Sequence, residues 1–312
     1  MKPTIKKLIQ YGILALILFL FVNYISKNIN DFKQVALINP LWLIPLVAIY
    51  LVNYFFLGMQ TKNLIEPLGV KLKKIEAFML AIITGFYNII TPAHGGMAIR
   101  AVYLKKKYQF TYTNFLSSLA GMYVITFAIA SLIGLISTYF IFLRTQIYSL
   151  PITLIFAGLF LPLLTIIIVS PKFKETKSKN INRFIRVING WNIIRKNKKV
   201  VLTCVLVTTT AIFLNSMIQI ISFTAVGVTI TIYQALFLAA IANIAILIRL
   251  TPGNLGVQEA VSVFSAAVLG IGTNEALVAA IILRIVQMIS LFTLGPIFSY
   301  KLLKNVKNET NT

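Results

Sequence analysis

The hexapeptide Thr251-Pro252-Gly253-Asn254-Leu255-Gly256 decides the reading of this chain. It follows a run from Val200 to Ile248 that carries no charge at all. Proline withholds a backbone donor and glycine weakens a helix, so a membrane helix entering this stretch is split into two halves. Broken backbone at membrane depth survives only where protein or a water-filled cavity shelters it. A second break of the same kind, Thr91-Pro92-Ala93-His94-Gly95-Gly96, sits in the uncharged stretch from Ala77 to Ile99. Charged residues flank both: Arg100 follows the first, and Arg249 and Glu259 bracket the second. Paired broken segments in two halves of a chain point to a transporter's binding site.

Composition sets the class. Of 312 residues, 58% are hydrophobic, and the mean hydropathy is +0.88. That is the signature of a multi-span membrane protein. No stretch alternates with period two as a barrel strand would, so the spans are helical. Lys and Arg number 29 against 7 acids, a formal net charge of +22. The charge lies in connections between apolar segments, where it sets topology and attracts anionic lipid; with no soluble domain to hold it, nucleic acid is not the expected partner. Cys204 is the single cysteine, so neither an internal disulfide nor a cysteine metal site is expected.

The absence of charge places the spans. The first runs from about Leu8 to Ser26 and reads as uncleaved, the second from about Pro40 to Gln60. A helix is expected within Tyr112–Tyr139, another over Tyr148–Ser170, and a last one from about Ala276 to Tyr300. Basic clusters then test the topology. Lys2, Lys6 and Lys7 place the N-terminus inside, as do Lys62, Lys71, Lys73 and Lys74 for the next loop. If Ala77–Ile99 crossed the membrane, Arg100 and Lys105–Lys107 would face outside; a re-entrant hairpin keeps them inside. The loop 171–199, with ten Lys and Arg, and the tail with Lys301, Lys304 and Lys307 fall on the same side. Within that loop Ile181, Phe184, Ile185, Ile188 and Trp191 recur at helical spacing, which reads as a short helix lying on the membrane interface.

At an offset of 160 residues, Thr91, Pro92 and Gly96 fall on Thr251, Pro252 and Gly256, and the order of elements matches. The matched elements run in opposite directions. The expected fold is therefore an all-α multi-pass membrane protein of about six full spans and two re-entrant broken-helix hairpins, arranged as an inverted repeat. It forms one membrane domain over 1–312, with halves at about 1–143 and 144–304.

Ionisable groups at membrane depth are costly and mark function. Arg100, Arg249, Glu259 and Arg284 are the candidates, Arg284 standing in the apolar run Ala279–Val286. Arginine's planar fork suits phosphate. Half-helices beginning after Gly96 and Gly256 would add backbone N–H groups and positive dipole ends, with Asn254 polar at the same depth. The competing reading is an Arg–Glu pair that braces the hairpin against the last helix, and one pair can serve both ends. His94, the only histidine, is a titrating candidate or a backbone hydrogen-bonding group. The seven acids are scattered, so no catalytic constellation, metal site or cofactor is expected.

Leu250-Thr251-Pro252-Gly253-Asn254-Leu255-Gly256-Val257-Gln258-Glu259-Ala260, the later Leu269-Gly270, and Leu283-Arg284 resemble the lysylphosphatidylglycerol synthase transmembrane (flippase-like) family. So do Pro92, Gly95-Gly96 and Arg100-Ala101-Val102-Tyr103-Leu104, although Met97 and Ala98 stand where that family more usually has an acidic residue. Larger members add a soluble domain that transfers lysine to phosphatidylglycerol; this chain is expected to carry the membrane domain alone. The resemblance implies a flippase-like transporter in the plasma membrane, with both termini cytoplasmic. It would move a phospholipid or polyprenyl-phosphate-linked lipid whose anionic headgroup is held by buried arginines. The alternative is an intramembrane lipid-linked transferase or the accessory subunit of one; a homo-oligomer stays open.

Overall fold

A computed structural model describes residues 39–312 apart from 92–94, 147, 170–172, 175, 177–178, 249–251 and 311–312. The expected first span lies outside the described residues. Ten α-helices follow: α1 (Leu43–Ile65), α2 (Lys74–Ile90), α3 (Gly95–Tyr108), α4 (Tyr112–Thr145), α5 (Leu150–Ile168), α6 (Lys179–Lys196), α7 (Lys198–Ala225), α8 (Ile232–Ile244), α9 (Val257–Val268) and α10 (Thr273–Thr310). Among the described residues, five helical stretches are long and apolar enough to cross a membrane: those of α1, α4, α5, α7 and α10. The chain is thus a membrane-embedded multi-pass helical protein. The helices start where capping chemistry allows. Thr111 and Asn197 accept from Asn114 and Val200 backbone N–H groups, and Thr231 with Gln234 forms a capping box ahead of α8. The helix expected within Tyr112–Tyr139 runs on to Thr145.

α1 and α7 form an antiparallel seam. Leu46 packs near Ile218, Asn53 Nδ2 donates to Asn215 Oδ1 at 2.7 Å, Gln60 Nε2 donates to Thr208 Oγ1 at 2.8 Å, and Leu64 clusters with Cys204. Numbers rise along one helix as they fall along the other. Small residues bring backbones close without a hydrophobic driving force, as lipid-embedded helices require. A Cβ on Gly58 would stand 2.7 Å from the Ala77 carbonyl oxygen.

The repeat at 160 residues is written into the helix bounds to within one residue. α1 ends at Ile65 and α7 at Ala225; α3 ends at Tyr108 and α9 at Val268; α4 begins at Tyr112 and α10 at Thr273. Packing repeats too. α2 lies antiparallel on α10 through Phe78–Phe298 at 5.9 Å, Phe86–Phe292 at 5.4 Å and the Ile89–Leu291 cluster. α8, the counterpart of α2, lies antiparallel on α4, the counterpart of α10. There Tyr233 stacks on Phe140 at 4.6 Å, and Ala239 packs beside Ala130.

Both ends of the first hairpin lie together. Glu76, at the start of α2, accepts from Tyr103 Oη at 2.6 Å, Tyr108 Oη at 2.8 Å and Lys107 Nζ at 3.2 Å, all near the end of α3. Val70, Leu72, Leu104 and Leu302 share one cluster, so the loop before α2, the end of α3 and the far end of α10 are level. α6 joins the same side, packed on the first half of α4. Lys62, Lys71–Lys74, Lys105–Lys107, Arg195–Lys199 and Lys301 therefore occupy one basic face. The second hairpin enters from the opposite side, where Arg144 lies 5.4 Å over the Tyr233 ring.

One expectation is overturned. The helix expected on the membrane interface packs into the protein. Ile185, Trp191 and Ile194 are buried, while Ile188 is exposed. Small residues on both helices explain it: a Cβ on Gly121 would stand 2.9 Å from Trp191, and one on Gly190 would collide with Ser117.

Overpacking costs ~1–3 kcal/mol or more where the obstacle is backbone. Gly58→Val should therefore lower the melting temperature of the purified protein by several degrees, whereas Gly158→Ala, which has nothing within 4 Å of its Cβ, should not. A fluorescence melt in detergent measures both, and equal melting would refute the α1–α2 contact.

Candidate functional site

The second break is a turn of left-handed backbone. Gly253, Asn254 and Gly256 have φ of 59°, 58° and 78°, and α9 begins at Val257. Such angles come without steric cost only at glycine and are tolerated at asparagine. The turn exposes carbonyls and an amide that α9 cannot satisfy. Glu259 Oε2 accepts from the Gly256 N–H at 2.8 Å. Its other oxygen accepts from Arg284 Nε at 2.9 Å and Nη2 at 2.6 Å. Arg284 also donates Nη1 to the Gly253 carbonyl at 2.6 Å and to Gln287 Oε1 at 3.2 Å, and Nη2 to the Asn254 carbonyl at 3.4 Å. A guanidinium has five N–H donors, and here five hydrogen bonds to four acceptor atoms engage it. Both side chains are 5% exposed. The brace read from sequence is thus what the structure holds, and this arginine has no donor left for a ligand.

The first break is built differently. Gly96 donates its amide to Asn88 Oδ1 at 3.0 Å, and a Cβ there would collide with the Thr84 carbonyl of α2. One turn on, Arg100 is 6% exposed. It donates Nη1 to Thr61 Oγ1 at 3.0 Å and Nη2 to Met97 Sδ at 3.0 Å. Its guanidinium carbon lies 5.5 Å from the centre of the Phe115 ring. Nε has no hydrogen-bond partner, and no carboxylate pairs with the group among the described residues. A buried cation whose contacts include a hydroxyl, a thioether and a ring face but no carboxylate among the described residues is an unbalanced charge. The repeat does not supply the missing acid: Arg100 falls on Ala260, Glu259 on Ile99 and Arg284 on Val124.

The two tips meet. A Cβ on Gly253 would stand 3.5 Å from the Cα and carbonyl oxygen of Ile89, so the turn of one hairpin rests on the last turn of α2. Asn254 Oδ1 is buried beside this contact with no partner among the described residues. Glu259, Arg284, Asn254 and Gly256 are gathered at one tip, with Pro252 opening its turn. Arg100 shares no partner with them and sits toward the basic face, between the last turns of α1 and the first turn of α4. The amides of Gly96 and Gly256, expected to be free for a ligand, already have acceptors. Pro92, His94 and Arg249 lie outside the described residues.

Sequence reasoning passed over Glu76, whose partners stand 27 to 32 residues away. It also passed over Asn53 and Gln60. Those two stand seven residues apart, on one face of a helix, and that spacing was a usable signal.

Residues 7–295 match the family described as the lysylphosphatidylglycerol synthase TM region. No curated protein matches the chain.

Removing one member of a buried ion pair costs ~3–5 kcal/mol, because the other is left charged and unpaired. Glu259→Gln and Arg284→Gln should each lower thermal stability sharply. The double variant should lose less than the sum of the two, with a coupling of ~1 kcal/mol or more. A double-mutant cycle of melting midpoints in nanodiscs measures this; strictly additive losses would remove the brace.

Proposed function

This chain belongs to the family of the lysylphosphatidylglycerol synthase TM region, and from that premise we propose that it carries lipid across the bilayer. The lipid is a phospholipid or a polyprenyl-phosphate-linked lipid with an anionic headgroup, and the chain is not itself an enzyme. The observation that carries this reading is Arg100, a buried guanidinium with no carboxylate partner among the described residues. Arg284, by contrast, is saturated. Phosphate would supply the charge that Arg100 lacks, in a site where few waters compete.

The division of labour follows. Arg100 receives the headgroup from the basic face, with the Thr61 hydroxyl beside it. Glu259 and Arg284 hold the second tip in shape. The contact of the tips at Gly253 and Ile89 is, on this reading, the closed state of the passage, and translocation proceeds by their separation. The basic face is the cytoplasmic one by the positive-inside rule, which puts the C-terminus there; the membrane is the plasma membrane. Engaged carboxylates favour transport over transfer. Glu76 is enclosed by two tyrosines and a lysine, and Glu259 is committed to Arg284.

Hydrogen bonds to a charged group contribute ~1.5–3 kcal/mol each. Arg100→Gln should therefore slow translocation of a labelled anionic phospholipid in reconstituted vesicles by roughly tenfold or more. Arg100→Lys should keep part of the rate, and the melting temperature should fall little or rise. An Arg100→Gln protein that is folded and moves the lipid at the original rate would sink the assignment.

A further inference from the structure

An apolar groove with a basic rim lies outside the hairpins. α5 packs on α4, and its last turns stand away from α7. Leu161 and Ile168 on α5, and Leu202 and Leu206 on α7, are 59–61% exposed. Between the two helices, under the end of α6, runs an open groove of about 620 Å³. That is within the ~300–1,000 Å³ usual for small-ligand sites. Val201, Leu202 and Val205 form one wall, and Ile167 faces them from α5. Arg195, Lys196 and Lys198 form the rim at the end of α6, and among the described residues no acid lines the groove. Arg195 is fixed in place by donating Nη1 to the Val169 carbonyl at 3.2 Å, which ties the end of α5 to the rim.

The order of these surfaces along the membrane normal is that of a phospholipid. Aliphatic side chains lie on the α7 stretch that enters the bilayer, and cations lie at the basic face where headgroups sit. We infer that this groove binds one anionic glycerophospholipid of the surrounding leaflet, its phosphate at Arg195, Lys196 and Lys198 and its chain along Leu202 and Val205. A soluble anion would find the cations but leave the apolar wall bare. The site is separate from Arg100 and stands whether or not the chain translocates lipid.

The full chain in nanodiscs of equal phosphatidylglycerol and phosphatidylcholine, released and weighed by native mass spectrometry, provides the test. Phosphatidylglycerol should be retained over phosphatidylcholine by about tenfold or more, the order expected for three cations at a lipid surface. The triple variant Arg195→Gln, Lys196→Gln, Lys198→Gln should lower that ratio several-fold, and any preference that remains belongs to Arg100 and should vanish when Arg100→Gln is added. Lys71→Gln, Lys73→Gln, Lys74→Gln, which removes the same charge from exposed positions on the same face, should leave it unchanged. Leu202→Asn should weaken retention of the lipid, and soluble glycerophosphoglycerol should not displace it. Equal loss in both triple variants would mean general surface charge and would overturn the site. So would an unchanged ratio in the first triple variant, or displacement by the soluble headgroup. Translocation rates of the two triple variants separate this site from Arg100, since they should stay within about twofold of the original.

Discussion

Every polar group exposed by breaking a helix at membrane depth must find its partner inside the protein, and the second hairpin answers this with a single ion pair. Glu259 gives an acceptor to the Gly256 amide, and Arg284 gives donors to the carbonyls of Gly253 and Asn254. The same two side chains neutralise each other. A buried pair contributes little net stability when it does nothing else, because desolvation offsets attraction. Here its hydrogen bonds replace water for a stretch of backbone that has no other recourse. The pair is what allows the turn to exist, and α10 is the rail to which the turn is fixed.

The two halves share a plan and differ in how their broken helices are held. α9 packs broadly along α10 and is locked to it by charge; its counterpart α3 touches α4 only lightly. α3 is held instead by α2, through the glycine contact at Thr84 and the Glu76 cluster at the basic face. Thus each hairpin keeps its own geometry, but only the second is bolted to the long helix of its half. An inverted repeat with unequal fastenings ties one broken helix to α10 by charge and holds the other to α10 through the apolar packing of α2.

Much of this was legible beforehand. The breaks at Pro92 and Pro252, the hairpin forced by Arg100 and Lys105–Lys107, and the offset of 160 residues all follow from local rules of charge and backbone that need no tertiary knowledge. Arg284 and Glu259 could be named as partners because each was a lone charge in apolar sequence. What sequence could not give is saturation. Whether an arginine is spent or open depends on carbonyls of a turn 30 residues away, and the letters of Arg100 and Arg284 look equally available. Helix α6 failed for a related reason. The periodicity of Ile185 and Trp191 reports an apolar face but not what covers it. Ser117 and Gly121 on another helix decide that protein, and not lipid, lies beneath.

The contact between the tips then acquires a meaning. Among the described residues Gly253 meets Ile89 through van der Waals packing, while on either side stand elements held by charge and hydrogen bonds. Two packed surfaces without a polar tie part at the cost of their apolar contact, whereas withdrawing the turn from Arg284 would leave carbonyls and a guanidinium unpaired in the membrane. On the translocation proposed above, the second tip and α10 therefore move as one body. Opening occurs where Ile89 leaves Gly253, next to the amide oxygen of Asn254, which has no partner among the described residues.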